Sequence, residues 1–319
     1  MTSNTKLELK LGLATREAFG QTLVELGRQN PDIIVCDADL SKSTYTNQFA
    51  KEFPDRFVEC GIAEANMVAI GAGLASSGKI PFVSSFSCFV LNKGFEQLRV
   101  TAAFPNVNLK VVGTHSGISI GEDGPSQMSI EDLSLACSLP GFTVLSPADE
   151  VSMRALVVAA VEHRGPVFIR AGRAKAPIVH SAGRKFPIGG SVQLTAGNDV
   201  TIIATGLLVA ESLRAQEELD ADGISARVID AYSVKPLDRD AVVRAAAETR
   251  AIVVAEEHLA DAGLGARVAQ VVAQHAPCAM EFIGLDSYAE SGPPEALLDK
   301  YNLRARNVAD ACRRVGRRK

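Results

Sequence analysis

Glu64 is the residue from which the chemistry of this sequence is best approached. It stands in the run 58–78, where a β-like Phe57-Val58 meets a glycine and then a long segment of small and apolar residues. Within the helical part of that segment only Glu64 and Asn66 are strongly polar, and its alanines and glycines allow close packing on nearly every side. A helix that is apolar all round is expected to be buried, which predicts a buried carboxylate in the first turn. Burial of an isolated carboxylate is costly and shifts its pKa upward. The same position also suits a plain cap on the free N–H groups of the helix start.

Four other places put polar side chains and glycine just after an apolar run. Asp37-Ala38-Asp39-Leu40-Ser41-Lys42-Ser43 follows 33–36, and Ser84-Ser85-Phe86-Ser87-Cys88-Phe89 follows 80–83. Gly113-Thr114-His115-Ser116-Gly117 follows 109–112 and leads to Gly121-Glu122-Asp123-Gly124-Pro125-Ser126-Gln127. Arg170-Ala171-Gly172-Arg173 follows 166–169. Singly, these read as well as a helix cap, a core aromatic pair, a hydrogen-bonded histidine and surface arginines. Gathered at the strand ends of one sheet beside a buried acid, they point to an enzyme site.

The elements that must carry them alternate. Strands are expected at 33–36, 80–86, 109–114, 143–145 and 166–170, with helices at 15–29, 62–77, 93–103, 129–138 and 149–163. A second series follows, with strands at 200–205, 226–231, 251–256 and 280–285 and helices at 207–220, 238–249 and 263–275. Continuous apolar strands separated by helices predict parallel sheets covered on both faces. Residues 174–198, rich in Pro and Gly without periodicity, read as a linker. The expected fold is therefore α/β, two doubly wound domains over 1–185 and 186–319, each a mainly parallel sheet with helices on both faces.

Composition narrows the function. The 319 residues are 47% hydrophobic and 22% charged, as in a globular protein. A net charge of −4 gives no sign of a nucleic-acid or membrane surface. The six cysteines form no CxxC pair and no metal-ligand spacing with the five histidines, so they read as reduced residues of a cytoplasmic protein. The N-terminus lacks the apolar run of a signal peptide, and no stretch of ~18 apolar residues is expected to span a bilayer. With no tryptophan and 5% aromatics, a carbohydrate or base-stacking surface is disfavoured.

Over essentially its whole length the chain resembles the C-terminal portion of transketolase, a pyrimidine-binding domain followed by the C-terminal domain. The resemblance rests on Gly61-Ile62-Ala63-Glu64, Phe86-Ser87-Cys88-Phe89, Thr114-His115-Ser116, Gly121-Glu122-Asp123-Gly124-Pro125 with Ile130-Glu131, and Val228 to Asp238. It implies thiamine diphosphate as cofactor and transfer of a two-carbon ketol unit from a ketose phosphate to an aldose phosphate. Glu64 would hydrogen-bond the aminopyrimidine N1′, Phe89 would stack on that ring, and Phe86 would line the pocket. The resemblance gives His115 a contact with the donor sugar and gives Asp123 the reading of donor hydroxyl stereochemistry. Arg16, Ser43 and Arg170 would hold the substrate phosphate, with Arg173 assisting.

Two departures from the family pattern stand out. Gln127 occupies the place of the usual histidine after Gly-Pro-Thr/Ser; glutamine can donate to a substrate oxygen but cannot carry a proton as imidazole does. In addition, no Gly-Asp-Gly is followed some thirty residues later by asparagine, the family's Mg²⁺ or Ca²⁺ site. The expectation is a split transketolase in which a second subunit, the N-terminal one, supplies the diphosphate and metal sites in an α2β2 heterotetramer. The rival is the β subunit of a 2-oxo acid dehydrogenase, which shares the architecture; the phosphate-binding set and the Gly-Glu-Asp-Gly-Pro run argue against it. A scaffold that has lost its chemistry is a third alternative, disfavoured by Glu64, Phe89 and His115 together.

Overall fold

A computed structural model describes residues 8–319. Its larger sheet has seven strands in the order Ser233–Lys235, Thr143–Leu145, Val167–Arg170, Lys110–Thr114, Ile80–Phe86, Ile33–Asp37, Phe57–Glu59. Every neighbouring pair is parallel except the outermost, Ser233–Lys235 on Thr143–Leu145. The smaller sheet runs Ala279–Leu285, Ala251–Leu259, Val200–Ala204, Ala226–Asp230, Val192–Thr195, and only the last of these is antiparallel to its neighbour. Helices cover both sheets, as the uninterrupted apolar strands require.

The helices form where apolar residues recur at helical spacing. Thr15–Gln29 sends Ala18, Phe19 and Leu23 inward, where they share a core with Met153, Leu156 and Val157 of Glu150–Glu162. Full burial of a Phe or Leu side chain contributes about 1.5–3 kcal/mol. Asp149 starts the second of these helices by accepting the Ser152 N–H at 2.8 Å. Gly71, within helix Glu64–Ser76, lets that helix approach the sheet: a Cβ there would lie 2.5 Å from Val83 Cγ1. Among the described residues no helix is long and apolar enough to cross a membrane.

Three local expectations need correction. Glu64–Ser76 is not buried on all sides, because Asn66, Ala69 and Gly73 are exposed and Ile62, just before it, is 78% exposed. Apolar composition shows that a face needs cover without showing that the same chain provides it. The helix expected at 93–103 begins instead at Ser87, directly off the strand, and gives way after Gln97 to a wide π-helical turn, Leu98–Ala103. The stretch read as a linker contains two short strands, Lys175–Pro177 paired with Leu11–Ala14, and Val192–Thr195. Both are edge pairings with a register shift, too short to show a period. Helices Pro294–Lys300 and Ala305–Gly316, beyond the last expected strand, complete the second layer.

Candidate active site

Parallel pairing brings the carboxyl ends of the central strands to one edge. Phe86 pairs in register with Thr114, Asp37 with Ser84, and Gly113 with Arg170. In doubly wound folds this edge is where ligands bind.

Phe86 ends its strand and Phe89 lies in the first turn of Ser87–Gln97. Their rings are nearly parallel, 11° apart in plane with centroids 5.5 Å apart. On its other side Phe86 stacks on the His115 ring at 3.8 Å. Lys93, one helical turn after Phe89, places Nζ 4.5 Å from the Phe89 centroid and 3.3 Å from Glu64 Oε1. Glu64 is only 3% exposed, whereas the Lys93 side chain is 51% exposed. A buried carboxylate, an aromatic face and a half-exposed cation therefore meet in one small volume. The loop before Glu64 is fixed from Glu59, whose Oε1 accepts the N–H groups of Asp39 at 2.8 Å and Gly61 at 3.0 Å.

His115 is held at both ring nitrogens. Nε2 lies 3.2 Å from Arg16 Nη1 and Nδ1 2.9 Å from Thr114 Oγ1. A guanidinium only donates, so the network assigns the proton to Nδ1, which donates to Thr114. The Thr114 hydroxyl in turn donates to the Ser85 carbonyl at 3.3 Å. Burial first, and then the positive charges of Arg16 and Arg173, push the His115 pKa down to about 3. At neutral pH this ring is an uncharged, oriented hydrogen-bonding group with a free face on neither nitrogen.

Arg16 also donates to the Ser43 carbonyl at 2.6 Å and to the Arg173 carbonyl at 3.3 Å. Ser43 thus meets Arg16 through its backbone. Its short helix, Ser41–Thr44, is tied down by Asp37, which accepts the Thr44 and Thr46 hydroxyls at 2.7 and 2.8 Å. Burial raises Asp37 to about 6 in spite of those hydrogen bonds. Arg173 donates to the Ile120 carbonyl and lies 3.3 Å from Glu122 and 4.0 Å from Asp123. Gln127 is half-buried, and its carbonyl accepts the Cys88 thiol at 3.1 Å. Arg170 is engaged elsewhere: its guanidinium holds Asp132 at 2.8 Å and the carbonyls of Glu257 and Ser129 at 2.8 and 3.2 Å.

Some residues around this site escape the sequence reading. Lys93 was hidden because its place over Phe89 depends on the helix starting at Ser87. Glu256, Glu257 and His258 lie buried near the end of the strand Ala251–Leu259; Glu257 and His258 meet Ser119 and Ser134 of the larger domain, whereas Glu256 accepts the Leu264 and Gly265 N–H groups of its own domain. Their signal was available, since three ionisable residues ending an apolar strand mark a strand end as occupied.

Comparison with known proteins finds matches over most of the chain. The family model for the transketolase pyrimidine binding domain matches residues 12–178, and that for the transketolase C-terminal domain matches residues 189–308. The chain belongs to the transketolase family. It is 39% identical to the "Putative transketolase C-terminal section" of Methanocaldococcus jannaschii, covering 92% of this chain and 93% of that protein. It is 37% identical to the "6-deoxy-6-sulfo-D-fructose transketolase subunit SqwH" of a Clostridium species, covering 95% of both. Against "Transketolase-like protein 2" of Mus musculus it is 40% identical but spans only 51% of that protein's length. A solved structure described as "Split gene transketolase, inactive beta4 tetramer" superposes with a TM-score of 0.91 at 45% identity, covering 97% of this chain and all of the other. The chain is accordingly a transketolase-type subunit.

Proposed function

We propose that this chain is the pyrimidine-binding and C-terminal subunit of a two-chain transketolase, which uses thiamine diphosphate to move a two-carbon ketol unit from a ketose phosphate to an aldose phosphate. The observation that carries this reading is the buried Glu64 carboxylate beside the stacked Phe86–Phe89 pair. The residues present fit an aminopyrimidine: a flat apolar face accepts the ring, and a buried carboxylate at its edge suits a ring nitrogen. When bound, the cofactor supplies a stabilised carbanion equivalent at its thiazolium carbon.

The chain's own residues would do the rest. Glu64 would exchange its Lys93 partner for the ring nitrogen and hold a hydrogen bond there. Phe89 would offer its face to the ring, and Phe86, stacked on Phe89, would help to exclude water. His115, neutral and aimed by Arg16 and Thr114, would accept a hydrogen bond from a donor-sugar hydroxyl at Nε2 when Arg16 turns to substrate. Arg16 and Arg173, both half-buried, suit the substrate phosphate through bidentate donation, with Ser41–Thr44 as the wall on which Ser43 sits. Asp123 and Gln127, on the following loop, face the sugar hydroxyls. Arg170 supports this loop from below.

A second polypeptide carrying the diphosphate and the Mg²⁺ or Ca²⁺ completes the enzyme. This is supported by the span of about half a full-length relative, and by relatives of this length being described as a section and a subunit. The exposed apolar side chains of Ile62, Val100 and Phe104 support packing against a further copy of this chain in an α2β2 assembly. Mixing the chain with a diphosphate-binding subunit and assaying ketose and aldose phosphates tests the reading. Glu64→Ala should lower turnover at least ~100-fold, the scale of a lost acid–base group. Near-normal turnover in that variant overturns the assignment.

A further inference from the structure

The strand Ala251–Leu259 belongs to the smaller sheet, yet its last residues are built into the loop of the larger domain that follows His115. The Glu257 carboxylate, 4% exposed, accepts the Ser119 N–H at 2.5 Å. It also lies flat against Gly117, where a Cβ would fall 2.2 Å from the Glu257 carboxyl carbon. Gly117 has φ +80°, a left-handed conformation that glycine adopts without strain, so the residue is suited to its place twice over. The Glu257 carbonyl accepts from Arg170 at 2.8 Å, and two residues on the Leu259 N–H donates to the Ile130 carbonyl at 2.9 Å. These contacts grip both ends of the segment 117–130, which contains Asp123 and Gln127. Nothing in the ketol-transfer reading uses Glu257.

We propose that Glu257 is a positioning residue for the donor-sugar loop, setting the backbone of 117–124 so that Asp123 and His115 meet the substrate at a fixed spacing. The smaller domain thereby takes part in substrate selection through a side chain that never touches substrate. This rests on the functional reading above, because it takes the loop to face the sugar. A Gln at 257 keeps an acceptor for Ser119, whereas Ala leaves that buried N–H without one.

The test compares Glu257→Ala and Glu257→Gln in the full chain. Hydrogen–deuterium exchange of peptide 116–124 should quicken about tenfold in the alanine variant and return toward wild type with glutamine, while the core strand 80–86 stays protected in both. In the assembled two-chain enzyme the alanine variant should raise KM for the ketose phosphate about tenfold, with kcat and cofactor affinity nearly unchanged. Unchanged exchange in 116–124 overturns the proposal whatever the enzyme's activity. Faster exchange with an unchanged donor KM also overturns it, since the grip would then be structural only. A wild-type assembly with no ketol transfer would strike instead at the functional reading, and the exchange arm would still decide whether Glu257 sets the loop.

Discussion

Because its ring is buried, and Arg16 and Arg173 add positive charge beside it, His115 is harder to protonate in the folded chain than in the unfolded one. Its folded pKa of about 3 lies below the ordinary 6.5, so between those values the unfolded state binds more protons. Stability from this residue is complete above pH 6.5 and is lost as pH falls toward 3. His115→Gln, which cannot titrate, should lose roughly 1–3 kcal/mol less than wild type between pH 7 and pH 4, read from urea midpoints at the two pH values. Equal losses would show that the ring is not held neutral. At this scale the sequence was informative wherever residue type alone points to a role: a carboxylate in an alanine-rich helix, two phenylalanines three apart, a histidine after an apolar strand. It was silent on Lys93 and Glu257, whose roles depend on helix phase and on contacts across 138 residues of chain.

At the scale of elements, the buried pair Arg170–Asp132 ties strand Val167–Arg170 to helix Asp132–Ser138. Asp132 also accepts the Ser87 hydroxyl at 2.9 Å, and so steadies the first turn of the helix that carries Phe89. Arg170 holds the Asp132 carboxyl below the usual carboxylate range despite complete burial. Removing one member of such a pair strands the other, so Asp132→Ala should destabilise the chain by about 3–5 kcal/mol in denaturant unfolding. A loss under ~1 kcal/mol would mean that the pair is hydrated. The principal strands were legible because each is a continuous apolar run between turn residues. Short edge pairings such as Leu11–Ala14 with Lys175–Pro177 were not, since three or four residues show no period. Helix Ala305–Gly316 could have been read: Val308, Cys312 and Val315 recur at i, i+4, i+7 and are all buried, while Arg306, Asp310 and Arg313 break the apolar impression.

On the scale of the whole molecule, the alternation of strand and helix predicted two doubly wound layers, and the two sheets bear this out. What sequence left open was which apolar surfaces the chain covers itself. Phe104 is 90% exposed and Val100 47%, both at the π-helical turn Leu98–Ala103 or its end. Such a surface on an isolated chain favours association. The purified chain should therefore elute well above its 33.7 kDa monomer mass, and Phe104→Asp should shift it toward the monomer by light scattering. A monomeric wild type would remove this surface as the site of self-association.

The outermost strand of the larger sheet comes from the other half of the chain. Ser233–Lys235 leaves the smaller domain, crosses to Thr143–Leu145, and anchors there as Lys235 donates to the Cys137 and Leu139 carbonyls at 2.9 and 2.6 Å. Anyone cutting the gene near codon 186 to express the front half alone would remove that strand. The truncated product would present a bare, sticky β-edge, an invitation to fibrous or amorphous precipitation that the intact polypeptide avoids by lending the strand to its neighbour.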